Sequence, residues 1–345
     1  MAPLIAVVAV GALVTVAAAV GYGFIGLENS RKSVDLDREL GAERPQNVDN
    51  GSLDILLLGS DSRAGDNAKY GRDEGSSRSD TAMLVHVHEG RTSATVVSIP
   101  RDTRVHRPRC PGRGGGTVAA QDRAMFNTAY EVGGPACAVK TVEYLSGIRL
   151  DHYIEVEFSG FKDIVNALGG VEVTTTRRIV DTDSRIDLPA GTNNLSGEQA
   201  LALVRTRKGV GDSSDLGRIE LQQAVFTALL TKVEKGGAFT NPKKLYDLAR
   251  ISAKSMTTDR RLASTGALIE FGSALKGLSA DEVRLITLPV ALDAIDPNRV
   301  VPLRKEGQRL WEALRLDLSV PDDVDRGPGA GRKQDVVKQG SKLSR

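Results

Sequence analysis

Three short segments of this 345-residue chain each combine a carboxylate with an arginine: Gly59-Ser60-Asp61-Ser62-Arg63, Arg78-Ser79-Asp80-Thr81 and Ser98-Ile99-Pro100-Arg101-Asp102. A second group of cations follows in Arg205-Thr206-Arg207 and in Asp215-Leu216-Gly217-Arg218, with Gln222 four positions after Arg218 and so on the same helical face. The guanidinium is a planar fork that matches phosphate oxygens and keeps its charge in any environment. Carboxylates hold hard Mg²⁺, which completes its shell with water and substrate phosphates. Together these groups suit a pyrophosphate gripped by arginines and a divalent cation. One guanidinium about 4 Å from a phosphate oxygen gains about 4 kcal/mol at an effective dielectric near 20, so several could offset the charge on a phosphate leaving group. For any single pair, such as Arg101 with Asp102, a salt bridge on a solvated rim is the stronger reading. It weakens for the set, because six arginines need more partners than Asp61, Asp80 and Asp102 provide.

The elements that must position these groups are legible. Residues 53–58, Leu53-Asp54-Ile55-Leu56-Leu57-Leu58, read as the largely apolar run of a fully buried strand. Residues 81–88 and 94–99 read as two further strands, with Glu89-Gly90-Arg91 as the hairpin between them. If these strands are antiparallel neighbours, the end of one lies beside the start of the next, and all three segments meet at one edge of the sheet. More strands are expected at 153–158, 171–175 and 283–288. Helices are expected at 159–168, ending on Gly169-Gly170, then at 196–205 from a Ser-x-x-Gln capping box, and at 215–234, 242–255 and 261–275. The alternation implies a single α/β domain with helices covering a central mixed β-sheet.

Residues 1–27 carry no charged side chain and are long enough to span a bilayer as a helix, which favours an uncleaved transmembrane anchor over a signal peptide. The expected order is therefore anchor 1–27, polar stalk 28–52, extracytoplasmic domain 53–320 and a disordered tail 321–345, rich in Gly, Lys and Asp. Cys110 and Cys137 flank a Gly-rich loop and in an oxidising compartment make a reasonable disulfide; two unrelated buried thiols are the alternative. A net charge of +2 argues against wholesale nucleic-acid binding.

Other signals are weaker. His86 and His88 alternate along a strand and share a face, as metal ligands do, but the sequence offers no third ligand and a zinc site is set aside. No Gly-x-Ser-x-Gly elbow and no Gly-Lys-Ser/Thr phosphate loop occurs. Trp311 reads as core or interface filler in a last helix.

The ordered motifs resemble the LytR–CpsA–Psr family of cell-wall glycopolymer transferases. They are Gly-Ser-Asp-Ser-Arg at 59–63, Arg-Ser-Asp-Thr at 78–81, Ser-Ile-Pro-Arg-Asp-Thr at 98–103, Phe-Asn-Thr-Ala-Tyr at 126–130, Gly-Gly-Pro at 133–135 and Leu-Gly-Gly-Val at 168–171, then the 205–207 and 215–222 segments. The match runs from about 53 to 230 with order and spacing kept. The resemblance implies an apolar tunnel for a polyprenyl tail, Mg²⁺ on Asp61 and Asp80, and a pyrophosphate contacted by Arg63, Arg78, Arg101, Arg205, Arg207, Arg218 and Gln222. Asp61, Arg101 and Arg218 would carry catalysis. The implied reaction moves a phosphate-linked glycopolymer from a polyprenyl-pyrophosphate donor to a peptidoglycan hydroxyl and releases polyprenyl phosphate. A hydrolase using water, or a module that only binds the lipid carrier, would use the same site. Two departures stand out: a long spacer between Asp61 and Asp80, and Leu221 where an arginine is common, for which Arg104 is a candidate substitute.

Overall fold

The structure, a computed structural model, describes residues 33–60, 79–206, 215–235, 242–324 and 337. The expected anchor, Asp61, Arg63, Arg78 and Arg207 lie outside these residues, and no helix among the described residues is long and apolar enough to cross a membrane.

A seven-stranded mixed sheet forms the middle layer: β1 (Ser33–Val34), β2 (Leu53–Ser60), β3 (Ser79–Val87), β4 (Ala94–Ile99), β5 (His152–Glu157), β6 (Met256–Asp259) and β7 (Val283–Thr287). Their spatial order is β1-β6-β5-β2-β3-β4-β7. β2, β3 and β4 are antiparallel neighbours as the sequence implies, while β5 runs parallel to β2 and β7 parallel to β4. The apolar run of β2 is buried on both faces because side chains alternate across the sheet. Ile55 and Leu57 enter one core, and Leu56 and Leu58 enter the other.

Eight helices stand on the two faces among the described residues: α1 (Leu36–Leu40), α2 (Phe126–Ser146), α3 (Phe158–Ala167), α4 (Gly197–Arg205), α5 (Asp215–Lys235), α6 (Pro242–Ser255), α7 (Thr265–Ala274) and α8 (Arg304–Arg315). Side chains of α3 to α7 pack into the core with Ile55 and Leu57, whereas those of α1, α2 and α8 pack with Leu56 and Leu58. Trp311 fills the second core, as expected of a filler residue.

Several segments differ from the sequence reading. Residues 33–52, read as a stalk, belong to the folded body. β1 pairs with β6, Leu36 and Leu40 are buried, and the Arg44 guanidinium, 3% exposed, donates to Glu143 of α2 at 2.6 Å and to the Leu150 carbonyl at 2.7 Å. A two-residue strand and a five-residue helix are too short to leave a periodic signal. The tail read from 321 starts ordered, with Val324 buried beside Val320, and Val337 bridges Thr175. The strand at Val171–Thr175 pairs with Gly191–Leu195 outside the main sheet.

The long helix α2 leaves no clear helical pattern in the sequence because Gly133-Gly134-Pro135 interrupts it, with Gly134 at φ 62° and ψ −154°. Cys110 and Cys137 form a disulfide that ties a short hairpin to the second half of α2. Gly133 allows that approach, since a Cβ there would lie 2.4 Å from the Cys137 Cβ and 2.3 Å from the Pro111 oxygen.

Candidate functional site

Strand register brings the motif segments to one edge. Ser60, the last residue of β2, pairs with Ser79 of β3 on one side and with Glu157, the last residue of β5, on the other. Ala82 pairs with Ile99, the last residue of β4. Gly59 faces Thr81 while Ser60 faces Ser79, so Asp80 is the extra residue of a bulge, a device common beside active sites.

Arg101 is held by its backbone. Pro100 follows the end of β4, and its carbonyl accepts from the Thr103 amide at 3.0 Å and the Thr103 hydroxyl at 2.6 Å. The first turn of α2 then closes on this corner: the Asn127 amide donates to the Arg101 carbonyl at 3.1 Å, and the Phe126 amide to the Thr103 carbonyl at 2.9 Å. The motif at 126–130 thus has a mechanical role, fixing the turn that carries Arg101. The Arg101 side chain lies 3.6 Å from Asp102, which also meets Arg299 at 3.4 Å, so the bland pairing weighed for Arg101 is present, with sharing.

Helix α5 covers this corner. Arg218 and Gln222 share a face, and with Arg101, Thr81, Ser98 and Pro100 they line one narrow crevice. Arg218 is 4% exposed and Gln222 2%. A guanidinium so placed acts in a low local dielectric, where its attraction for an anion exceeds that in water. The Thr81 hydroxyl approaches the Gln222 Oε1 at 3.5 Å, and the Gln223 amide donates to Ser98 at 3.2 Å, which seats the helix on β3 and β4. Among the described residues, the buried Gln222 Nε2 has no hydrogen-bond partner, leaving a donor aimed within the crevice walls.

Arg205 ends α4, whose start carries the expected capping box, with Ser196 and Gln199 bonded reciprocally. Its guanidinium lies 5.0 Å over the ring of Phe158, the residue that follows β5, and so stands at the neighbouring strand end. Of the sequence-derived set, Arg101, Arg218 and Gln222 meet in one crevice, and Arg205 stands at the same edge. Asp80 is placed there by its backbone.

The sequence reading missed a buried acid beneath this edge. Glu155 of β5 accepts a short hydrogen bond from the Tyr130 hydroxyl and another from Tyr153 at 2.6 Å, and Ser60 also bonds to it. Burial pushes the Glu155 carboxyl above the usual glutamate range, against the pull of the tyrosine hydroxyls. Burial, then the neighbouring carboxylate, raises both phenols. Arg113 stacks 4.4 Å over the Tyr130 ring. An acidic residue inside the apolar run Tyr153-Ile154-Glu155-Val156 was the available signal, since a buried carboxylate needs partners.

Two further positions resolve differently from expectation. Leu221 is fully buried in the core on the α3–α7 face. Arg104 does not stand in for an arginine there: its guanidinium meets Asp296 at 3.3 Å, Asp293 at 3.9 Å and the Arg123 carbonyl at 3.1 Å.

The chain is 34% identical over 323 residues to the Polyisoprenyl-teichoic acid--peptidoglycan teichoic acid transferase TagT of Bacillus subtilis, spanning 89% of this chain and 92% of TagT. It is 31% identical over 358 residues to the Cell wall biosynthesis protein LcpA of Corynebacterium glutamicum, spanning 92% of this chain and 68% of LcpA. A solved structure of TagT bound to LIIa-WTA superposes with a TM-score of 0.56 at 29% identity, covering 83% of this chain and 99% of that one. The LytR_cpsA_psr family pattern matches residues 23–315, and the chain with its convergent arginine edge belongs to that family.

Proposed function

We propose that this protein is a transferase that moves a phosphate-linked glycopolymer from a polyprenyl-pyrophosphate carrier to a hydroxyl of peptidoglycan. The observation that carries this reading is the meeting of Arg101, from the end of β4, with Arg218 and Gln222, from α5, in one crevice at the edge where β2 ends. Relatives named as teichoic acid transferases support the same reaction class.

In this reading the acceptor oxygen attacks the phosphorus next to the sugar. A new P–O bond forms, the bond to the bridging oxygen breaks, and polyprenyl phosphate leaves with its electron pair while the acceptor hydroxyl gives up its proton. Arg101 and Arg218 hold phosphate oxygens and take up the charge that grows on the leaving phosphate, and the Gln222 amide donates to the same oxygens. Arg205, at the neighbouring strand end, extends the grip with Arg63, Arg78 and Arg207. Catalysis of this kind rests on positioning and electrostatics rather than on a covalent intermediate.

Asp61 and Asp80 are the residues that would hold Mg²⁺. The donor set fits, since both supply carboxylate oxygens, and Asp61 follows Ser60, whose partner Ser79 adjoins Asp80. Bound there, the ion would neutralise phosphate charge. The polyprenyl tail would lie in an apolar tunnel between the sheet and its helices. Residues 1–27 would anchor the chain with its catalytic domain outside the cytoplasm, a placement that the Cys110–Cys137 disulfide favours.

The full chain in detergent, given a short polyprenyl-pyrophosphate glycan and peptidoglycan fragments, tests this. Release of polyprenyl phosphate with glycan joined to the fragment is expected with Mg²⁺, and loss of both with chelator or with Asp61→Ala. Release with no glycan on the fragment would instead identify a hydrolase, and tight binding without release a carrier-binding module.

A further inference from the structure

The edge of the sheet opposite the arginines holds a second constellation. His86 of β3 pairs across the ladder with Asp54 of β2 and with Thr95 of β4, and His88 lies two residues on, on the same face. The segment after α8 brings Asp317 onto this row, with the Glu89 amide donating to its Oδ2 at 3.0 Å. The sequence alone had supplied two histidines and no third ligand.

The Asp54 carboxylate accepts from His86 Nδ1 at 2.8 Å, so in a neutral ring that nitrogen carries the hydrogen and Nε2 presents a lone pair. Nε2 nevertheless faces Asp317 Oδ1 at 3.0 Å, one acceptor against another. The Thr95 hydroxyl oxygen, 3.0 Å from His88 Nε2, can accept its hydrogen, which leaves a lone pair on His88 Nδ1, 2.6 Å from the same Asp317 oxygen. Two imidazole nitrogens and one carboxylate oxygen thus converge, with all three ligand atoms within 4.8 Å of one another. Positive charge belongs at that point.

We propose that His86, His88 and Asp317 form a Zn²⁺ site that fastens the segment after α8 to β3. A divalent ion there balances Asp54 and Asp317 while leaving both imidazoles neutral. Two nitrogens and one oxygen suit zinc, whereas Mg²⁺ prefers oxygen alone. Asp54 occupies the place of the carboxylate that commonly orients a zinc-bound histidine through its other ring nitrogen, and Thr95 does the same for His88. The His86 side chain is fully buried, but His88 is 18% and Asp317 13% exposed, which gives an ion a way in and leaves room for a water as fourth ligand. The site is structural, since it lies across the sheet from Arg101 and Arg218. The segment that it fastens carries Val320 and Val324 into the core.

The test uses the full chain without a histidine tag, in detergent and stripped with chelator. Titration with ZnCl₂ should fill about one equivalent and raise the melting temperature, with Mg²⁺ at the same concentration giving neither effect. His88→Gln and Asp317→Asn, which keep size and polarity, should each weaken zinc binding by about 10-fold or more, and Asp54→Asn by about 10- to 100-fold. His106→Ala, outside the cluster, should bind as the parent does. Failure of the parent to take up zinc would mean that protons alone occupy the gap, and uptake unchanged in the His88 and Asp317 variants would place the ion elsewhere; either result overturns the proposal.

Discussion

The two edges of the central sheet use charge in opposite ways. Where β2, β4 and β5 end, arginines gather from several segments, and Arg101, Arg218 and Gln222 line one crevice. Where β2 and β5 begin, charges are answered internally. Arg44 is bonded to both Glu143 and the Leu150 carbonyl, and the Asp259 carboxylate meets His152 at 3.0 Å. An edge whose charges are consumed inside the protein contributes to stability, and the other, in the function proposed above, contributes to binding. The same β2 and β3 serve both, so substitutions at the two edges should separate folding from turnover.

The largest expected effect lies at the internally paired edge. Arg44→Met leaves Glu143, with a side chain 1% exposed, as an uncompensated buried charge, which costs about 3–5 kcal/mol of unfolding free energy. Denaturant unfolding checks this, and Arg44→Met with Glu143→Leu should recover most of the loss. A single variant as stable as the parent would return residues 33–52 to the status of a stalk. At the other edge, Arg101→Ala and Arg218→Ala should each lower turnover by about 10²- to 10³-fold, the usual cost of removing one preorganised charge donor. Both variants should remain cooperatively folded, which denaturant unfolding checks. Normal transfer by both variants would sink the assignment of this crevice.

What could be read from the chain follows the same division. β2, β3 and β4 were legible because each is short and dominated by aliphatic residues, and their antiparallel order alone brought Asp80 and Arg101 to one edge. The boundaries of α6 and the cap of α4 were equally plain, since Pro242 and Ser196 are strong local signals. Contacts between distant segments were not legible. Nothing near Arg44 announces Glu143, 99 positions away, and nothing near His86 announces Asp317, 231 positions away. The partners of Glu155 were hidden in the same manner, because Tyr130 approaches it only once α2 has packed on the sheet. The sequence motifs named the residues around the phosphate edge, and tertiary pairing decided what supports them.

Glu155 sharpens the comparison, because it is an acid buried beneath the edge where the arginines gather. Its carboxyl is raised by burial, so the folded protein holds a proton that the unfolded chain releases above about pH 4.5. Stability supplied by that proton is complete below the unfolded value and declines as pH rises toward the folded one. Glu155→Gln should flatten this decline, and melting temperatures measured from pH 4.5 upward should converge less steeply than in the parent. Parallel curves for the two proteins would mean that Glu155 titrates normally despite its two tyrosine partners.

The smallest effect is expected at Arg104, and it settles how the edge manages without an arginine at position 221. Were Arg104 the substitute, its removal would lower turnover as Arg218→Ala does. Its guanidinium is instead shared between Asp296 and Asp293, which sit beyond β7 and also receive Arg299 and Arg123. A partly exposed pair of this kind contributes about 0–1 kcal/mol. Arg104→Ala should therefore leave turnover within about twofold of the parent, because no transition-state contact is lost. A drop of 10-fold or more, with KM for the donor rising alongside, would show Arg104 reaching the phosphate. With turnover unchanged, Leu221 needs no replacement charge: its side chain belongs to the core shared with Ile55 and Leu57, away from the helix face that brings Arg218 and Gln222 to the crevice.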